Sequence, residues 1–194
     1  MLWNASRSYE IFQIFQINHF MNYLFLLILA MVNHFVIFDF NTNTNPRDWK
    51  IVDDGVMGGV SKSAITLDKD GNGIFEGHVS LKNNGGFSSV RHQFKTIDVS
   101  KSKRFILRVR GDGKNYQFRV KSQLNEYYSY KFEFSTNKDW QEIEIPFDEL
   151  VPTFRGRTLG MPTFPNKVLE EVGFLISNKI EEDFSLKIDF VKVE

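Results

Sequence analysis

The 194-residue chain contains no cysteine. That absence excludes a disulfide, a thiolate nucleophile and any Cys-ligated zinc or iron–sulfur cluster, and it leaves the redox compartment unread. An excess of charge is also missing: 24 basic side chains balance 24 acidic ones, and Glu181-Glu182-Asp183 is the one like-charge block that stands out. A surface that tracks nucleic-acid phosphates is therefore not expected. Histidine is scarce after the apolar start, where His78 and His92 lack the two-on-one-face spacing of a metal site. No Gly-x-Ser-x-Gly frames a serine, so Ser88, Ser89 and His92 read as a solvated strand edge without a nucleophile elbow. No Gly-x-Gly-x-x-Gly follows a predicted strand, which removes the dinucleotide fingerprint. No cofactor is expected, and the chain does not read as an enzyme.

Also absent is an unbroken run of the ~20 apolar residues that a membrane-crossing helix needs. The main apolar run, 23–32, lies in a segment where Arg7 and Glu10 are the only formal charges before residue 35. Its length suits the core of a signal peptide, although no Lys or Arg lies just before it and no clean small-x-small cleavage site follows. Extended to Phe38, it becomes a short membrane anchor. Met31 offers a third arrangement, with the segment upstream of the true start. Residues 1–34 are thus read as signal, anchor or upstream sequence, and 35–194 as the folded domain. The product is exported or membrane-associated if the segment is retained, and cytoplasmic if translation starts at Met31.

What is present is β pattern. At 42% hydrophobic and 15% aromatic the chain can bury a full core, since a domain of ~150 residues hides roughly 70% of its unfolded surface. From Phe35 onward apolar residues alternate with polar ones between turn residues, and helical periodicity is nearly absent. Hairpins are predicted for 64–67 with 73–81 and for 105–110 with 115–122, the second across Gly111-Asp112-Gly113-Lys114. Further strands are expected over 126–135, 141–147, 171–177 and 184–193, with a helical turn at 147–150. The expected fold is an all-β, two-sheet jelly-roll β-sandwich.

Alternation divides these strands into two faces. Phe105, Leu107, Val109, Tyr116, Phe118, Val120, Tyr128, Tyr130, Phe132 and Phe134 mark the core. Arg108, Arg110, Gln117, Arg119, Lys121, Tyr127 and Lys131 mark one polar sheet face, followed by the Phe154-Arg155-Gly156-Arg157 loop. Arg and Tyr combine apolar area with directed donors, as interfaces favour, so Arg108, Arg110, Arg119, Tyr127 and Arg155 are the candidate binding residues. Asp68-x-Asp70-x-Asn72-Gly73 matches half of a calcium loop, but Val79 stands where a closing Glu is needed, and a hairpin turn is expected instead. The Arg110-Gly111-Asp112 tripeptide likewise reads as a turn.

Two glycine-paired runs remain, Val52-Asp53-Asp54-Gly55-Val56-Met57-Gly58-Gly59-Val60-Ser61 and Asn83-Asn84-Gly85-Gly86-Phe87-Ser88-Ser89-Val90-Arg91. Paired glycines permit positive φ and close backbone approach, so these are loops shaped to hold something or each other. Adjacent Asp53 and Asp54 point to opposite faces and cannot flank a glycosidic bond as a catalytic pair. One is expected to order the loop, and the other to face solvent or a calcium ion. Asp53, Asp54, Met57, Gly58, Gly59, Gly85, Gly86 and Phe87 are the loop-shaping set.

Together with Trp49, Arg110-Gly111-Asp112-Gly113, Trp140, Ile145-Pro146-Phe147 and Phe154-Arg155-Gly156, these runs resemble the complex I intermediate-associated protein 30 family, over roughly 38–193. The resemblance implies a galactose-binding-like sandwich similar to carbohydrate-binding modules. It also implies a non-enzymatic assembly role: eukaryotic members are mitochondrial chaperones that bind partly built NADH:ubiquinone oxidoreductase, and this chain looks like a bacterial member. The chain lacks the basic targeting region of the mitochondrial members, which leaves the client open. A protein partner, such as subunits of a membrane respiratory complex, is expected. The alternative is a carbohydrate- or small-ligand-binding module.

Overall fold

A computed structural model describes residues 35–194 of the protein; the readings of segment 1–34 lie outside the described residues. The strands in chain order are β1 (Phe35–Asp39), β2 (Trp49–Ile51), β3 (Lys62–Leu67), β4 (Gly73–Val79), β5 (Ser88–Asp98), β6 (Arg104–Arg110), β7 (Asn115–Lys121), β8 (Ser129–Ser135), β9 (Gln141–Pro146), β10 (Val151–Phe154), β11 (Arg157–Thr158), β12 (Val168–Ile176) and β13 (Glu182–Val193). Short 3-10 turns are the only helical elements among the described residues, including Phe147–Glu149 where a turn was expected.

The strands form two antiparallel sheets. One has the order β3-β4-β13-β6-β9, with β1 also on β13; the other runs β11-β10-β8-β7-β12-β5-β2. Strand β13 is the spine of the first sheet, because β4 and β1 pair with successive halves of it while β6 takes its opposite edge. A register shift between Ile188 and Phe190 lets Ile188 and Val191 both enter the core. Between the sheets lies a core rich in Phe, with Phe105 of one sheet against Phe118 of the other at 5.1 Å between ring centroids. This is the jelly-roll sandwich that the alternation implies.

One predicted hairpin is wrong. Strands β6 and β7 do not pair: β6 joins β13 and β9, and β7 joins β12 and β8. Each strand has one apolar face, and such faces are buried equally well side by side in one sheet or opposed across two. The glycine turn therefore bridges the sheets. Asp112 anchors it, its carboxylate accepting from Tyr116 Oη on β7 at 3.1 Å and from the Ser185 amide on β13 at 3.0 Å. The Arg-Gly-Asp tripeptide is thus an inter-sheet corner.

The other hairpin, β3–β4, is as expected. Within its turn Asp68 accepts from the amides of Asp70 and Asn72, from the Asn72 side chain, and from Lys187 Nζ at 2.9 Å. Burial pushes the Asp68 carboxyl up, but these donors outweigh it and hold its pKa at about 2. A carboxyl with a depressed folded pKa adds stability that is complete above its unfolded value near ~3.9 and is lost as pH falls through the folded one. The melting temperature should therefore drop between about pH 4 and about pH 2, and Asp68→Asn should make that drop shallower. Thermal scans across that interval check this; equal slopes in the two proteins would refute it.

Candidate functional site

The outer face of the second sheet carries three parallel rows of side chains, fixed by strand register. The first row holds Gln93, Glu171 and Lys121; the second Arg91, Gly173, Arg119 and Lys131; the third Ser89, Leu175, Gln117 and Glu133. Strand β12 runs down the middle and is buried on both faces, so Glu171, Gly173 and Leu175 form a floor. Loops rise on either side and enclose a cleft of about 430 Å³ over these rows. That size falls within the range of small-ligand pockets, ~300 to 1,000 Å³.

At the centre of the floor Gly173 is required by space. A Cβ there would lie 2.6 Å from the Val90 carbonyl oxygen and 3.3 Å from Arg91 Cγ. Arg119 sits across the floor, its Nε and Nη2 donating to Gln117 Oε1 at 3.1 and 2.8 Å. Gln117 in turn donates to Glu133 at 3.1 Å, and Lys131 donates to the same carboxylate at 2.7 Å. Burial, then the neighbouring charge of Arg91, pulls the Arg119 guanidinium down to a pKa of about 10, with Glu133 opposing. It remains fully cationic at neutral pH.

The two glycine loops form one wall by holding each other. Asp54, fully buried, accepts from the Ser61 amide at 3.0 Å and from the Ser61 hydroxyl; across the gap it accepts from the Gly86 amide at 2.7 Å and from Phe87 at 3.4 Å. A Cβ on Gly59 would stand 2.3 Å from the Asp54 carboxyl carbon, and one on Gly85 would stand 2.5 Å from its Oδ2. Both glycines are thus imposed by one carboxylate. Burial pushes the Asp54 carboxyl up, yet the Ser61, Gly86 and Phe87 donors hold it below its ordinary value. The wall presents Met57, 57% exposed, and the half-buried Phe87 to the cleft.

The opposite wall is aromatic. Tyr127, 64% exposed, meets Phe154 edge-on at 5.3 Å, and the Arg155 guanidinium lies 5.2 Å from the centre of the Phe154 ring. Arg155 and Gly156 both have positive φ, 48° and 79°, as a two-residue primed turn between β10 and β11 requires. The turn aims Phe154 and Arg155 at the cleft mouth.

Several expectations change. Arg108 and Arg110 are not on this face: both lie on β6 in the other sheet, where Arg108 pairs with Asp189 at 3.2 Å beside Trp140. The reason is the broken β6–β7 hairpin. Asp53, half-buried, also ties strands together: its carboxylate accepts from the Ser63 amide and hydroxyl at 3.0 and 2.7 Å and from the Ser88 hydroxyl. Ser88 and Ser89 are buried, not on a solvated edge, because β5 lies between β12 and β2. His92 packs against Trp49 at 5.3 Å with Nδ1 against the Asp48 carbonyl. Arg119, Tyr127, Arg155, Met57, Gly85, Gly86 and Phe87 do converge on one cleft, while Gly58 and Gly59 shape the loop behind Met57. Sequence reasoning missed Arg91, Glu171 and Gly173, and named Phe154 only as part of the loop that carries Arg155. A glycine inside the apolar β12 run was the available signal, since it marks close approach of a neighbour.

The fold and its cleft define a class: an all-β sandwich of the galactose-binding-like kind, with an open concave sheet. Solved structures similar to it include a family 11 carbohydrate-binding module from Clostridium thermocellum, at 15% identity and a TM-score of 0.63, covering 84% of this chain and 94% of that one. A structure of a family 11 module of the same organism in complex with a β-1,3-1,4-mixed-linked tetrasaccharide gives a TM-score of 0.62, also at 15% identity and covering 82% and 94%. Such low identity speaks to fold alone. The chain belongs to the complex I intermediate-associated protein 30 family, whose model, "Complex I intermediate-associated protein 30 (CIA30)", matches residues 38–188. The mouse mitochondrial protein of that name is 25% identical over 182 residues, covering 81% of this chain and 55% of its own length. An uncharacterized protein of Schizosaccharomyces pombe is 29% identical over 180 residues, covering 81% and 82%. This chain spans about half the length of the mouse relative.

Asp54 gives a direct test of the loop arrangement. Asp54→Ala leaves the Gly86 and Ser61 amides without their acceptor and should cost about 3 kcal/mol. Gly59→Val drives a branched side chain into the same carboxylate and should cost a similar amount, ~3 kcal/mol. Urea midpoints measure both; two variants that unfold with the parent would mean that the loops do not depend on this contact.

Proposed function

We propose that this chain is a non-enzymatic binding module that engages polypeptide subunits of NADH:ubiquinone oxidoreductase during its assembly. Family membership supports the client, because relatives carry the name of complex I intermediate-associated protein. The observation that carries the binding mode is the cleft: its floor is built on rigid strands, its walls are pinned by Asp54, and its rim exposes Met57, Tyr127 and Phe154. Large exposed apolar groups mark interaction sites, and Met, Tyr, Phe and Arg are residue types enriched there. A chaperone role follows the same logic, since an unfinished subunit offers apolar side chains and unpaired polar groups together. The Ser–Asp contacts of the wall, Ser61 to Asp54 and Ser63 and Ser88 to Asp53, are consumed in holding loops and strands together.

A second reading has its own support. An open cleft along a concave sheet, with aromatic rings at one wall, also suits a sugar chain, which stacks its apolar faces on rings. The structural neighbours titled carbohydrate-binding modules share this architecture.

Affinity purification from membranes separates the two. Tyr127→Ala with Arg155→Ala should reduce recovery of complex I subunits by about tenfold or more, a loss of ~1.4 kcal/mol. Both residues are exposed, and exposed charges contribute little to folding, so the melting temperature should stay near the parent's. Arg108→Ala, on the opposite sheet, should recover subunits normally. Saturable binding on a glycan array that the cleft variants abolish, with no subunit recovered by the parent, would replace this reading with the carbohydrate one.

A further inference from the structure

The formal charge of the chain is zero, yet one register row of the concave sheet is almost entirely basic. Lys50 on β2, Arg91 on β5, Gly173 on β12, Arg119 on β7 and Lys131 on β8 stand side by side across five adjacent strands. Lys50 is directly opposite Arg91, and Arg119 directly opposite Lys131. Like charges directly opposed on a sheet are destabilising. Folding therefore gains nothing from the row.

Its neutralisation is incomplete. Lys131 is paired with Glu133 at 2.7 Å. No acidic group among the described residues forms an ion pair with Lys50, Arg91 or Arg119. Arg91 commits only its Nε, to Ser89 Oγ at 3.3 Å, and Arg119 commits Nε and Nη2 to Gln117. Both terminal nitrogens of Arg91 and the Nη1 of Arg119 have no hydrogen-bond partner among the described residues. Between the two arginines lies only Gly173, so no side chain fills the gap, and with strands ~4.8 Å apart their backbones stand ~10 Å from each other.

We propose that Arg91 and Arg119, over Gly173, form a carboxylate-binding subsite that reads an acidic group of a client polypeptide lying in the cleft. Guanidinium forks bind planar carboxylates through paired hydrogen bonds, and the Gln117 contacts hold Arg119 in place before the ligand arrives. Glu133 and the buried Glu171 flank the row on either side, which disfavours a dianion such as phosphate. The apolar walls at Phe87 and at Tyr127 with Phe154 fit a large apolar residue next to the acidic one. The subsite rests on the protein-binding reading of the cleft and specifies its chemistry.

The test uses fluorescent octapeptides with a central Phe-Asp, the matching Phe-Asn, Phe-phosphoserine, and Phe-Asn with either a free or an amidated C-terminus, titrated against the full chain by anisotropy. A carboxylate should tighten binding by about tenfold over the amide, and the advantage should shrink in high salt. Arg119→Gln and Arg91→Gln should each erase the preference, Arg119→Lys should keep part of it, and Arg108→Gln should keep all of it. The free-acid and amidated arms show whether a side chain or a chain terminus supplies the group; a carboxylate advantage in either supports the subsite. Equal binding of acid and amide, or a preference that survives both Gln variants, overturns the subsite while leaving the purification result to judge the protein-binding reading. Tighter binding of the phosphoserine peptide overturns the carboxylate assignment. Binding of oligogalacturonate with no peptide bound overturns the polypeptide occupant.

Discussion

The Asp54 carboxylate is completely buried, and the shape of the cleft follows from how its charge is satisfied. Taking a carboxylate out of water is expensive unless donors replace the solvent. Here they come from two loops far apart in sequence, Ser61 on one side and Gly86 with Phe87 on the other. Neither loop can leave without stranding a buried charge. The surrounding atoms must also come close enough to donate, and this removes side chains at Gly59 and Gly85, where a Cβ would collide with the carboxyl group. Two glycine motifs that look alike in sequence are thus the two halves of one socket, and Met57 and Phe87 are held at the cleft edge by it.

The floor obeys a different constraint. Strands β7, β12 and β5 must present apolar side chains to the core, and alternation then fixes which residues face outward. An outward row gains when opposite charges stand across from each other, as Lys121 and Glu171 do here. The Arg91–Gly173–Arg119 row does not, and Arg119 is held largely out of water beside a second cation, which is why its pKa falls to about 10. A fold optimised for stability alone would place an acid at one of these positions. Uncompensated charge on rigid strands is what a binding site requires, because the donors are in position before the ligand arrives and little ordering remains to be done.

Local pattern revealed the all-β class, the two glycine loops and the strands β3, β4, β6 to β9, β12 and β13, because these depend on neighbours in sequence; β1, β2, β5, β10 and β11 received no range. Period-two alternation located the inward faces of β6, β7 and β8 correctly, and paired glycines singled out the socket. What alternation could not reveal was partnership. Arg108 and Arg119 have the same phase on strands of similar pattern, yet they sit on opposite outer surfaces because the Gly111 to Gly113 turn crosses between sheets, with Asp112 tied to both. Arg91 and Lys50 escaped for the same reason. Their place in the row depends on pairing β5 with β2 and β12, contacts that span from 40 to more than 80 positions of sequence.

These two constraints meet in the cleft. The Asp54 socket buries its anion completely and satisfies it from within the chain, whereas the Arg91–Arg119 row keeps its cations facing a space of about 430 Å³. In the wall Ser88 donates to Asp53, and Ser61 to Asp54, so both hydroxyls are turned into the structure. Among the groups that line the space are the Arg91 and Arg119 guanidinium forks, the Tyr127 and Phe154 rings and Met57, which attract and orient a partner. The labour is divided between an acid in the wall that is satisfied from within the chain, which fixes the shape of the cleft, and cations on the floor with donors left open, which fix the charge the cleft offers.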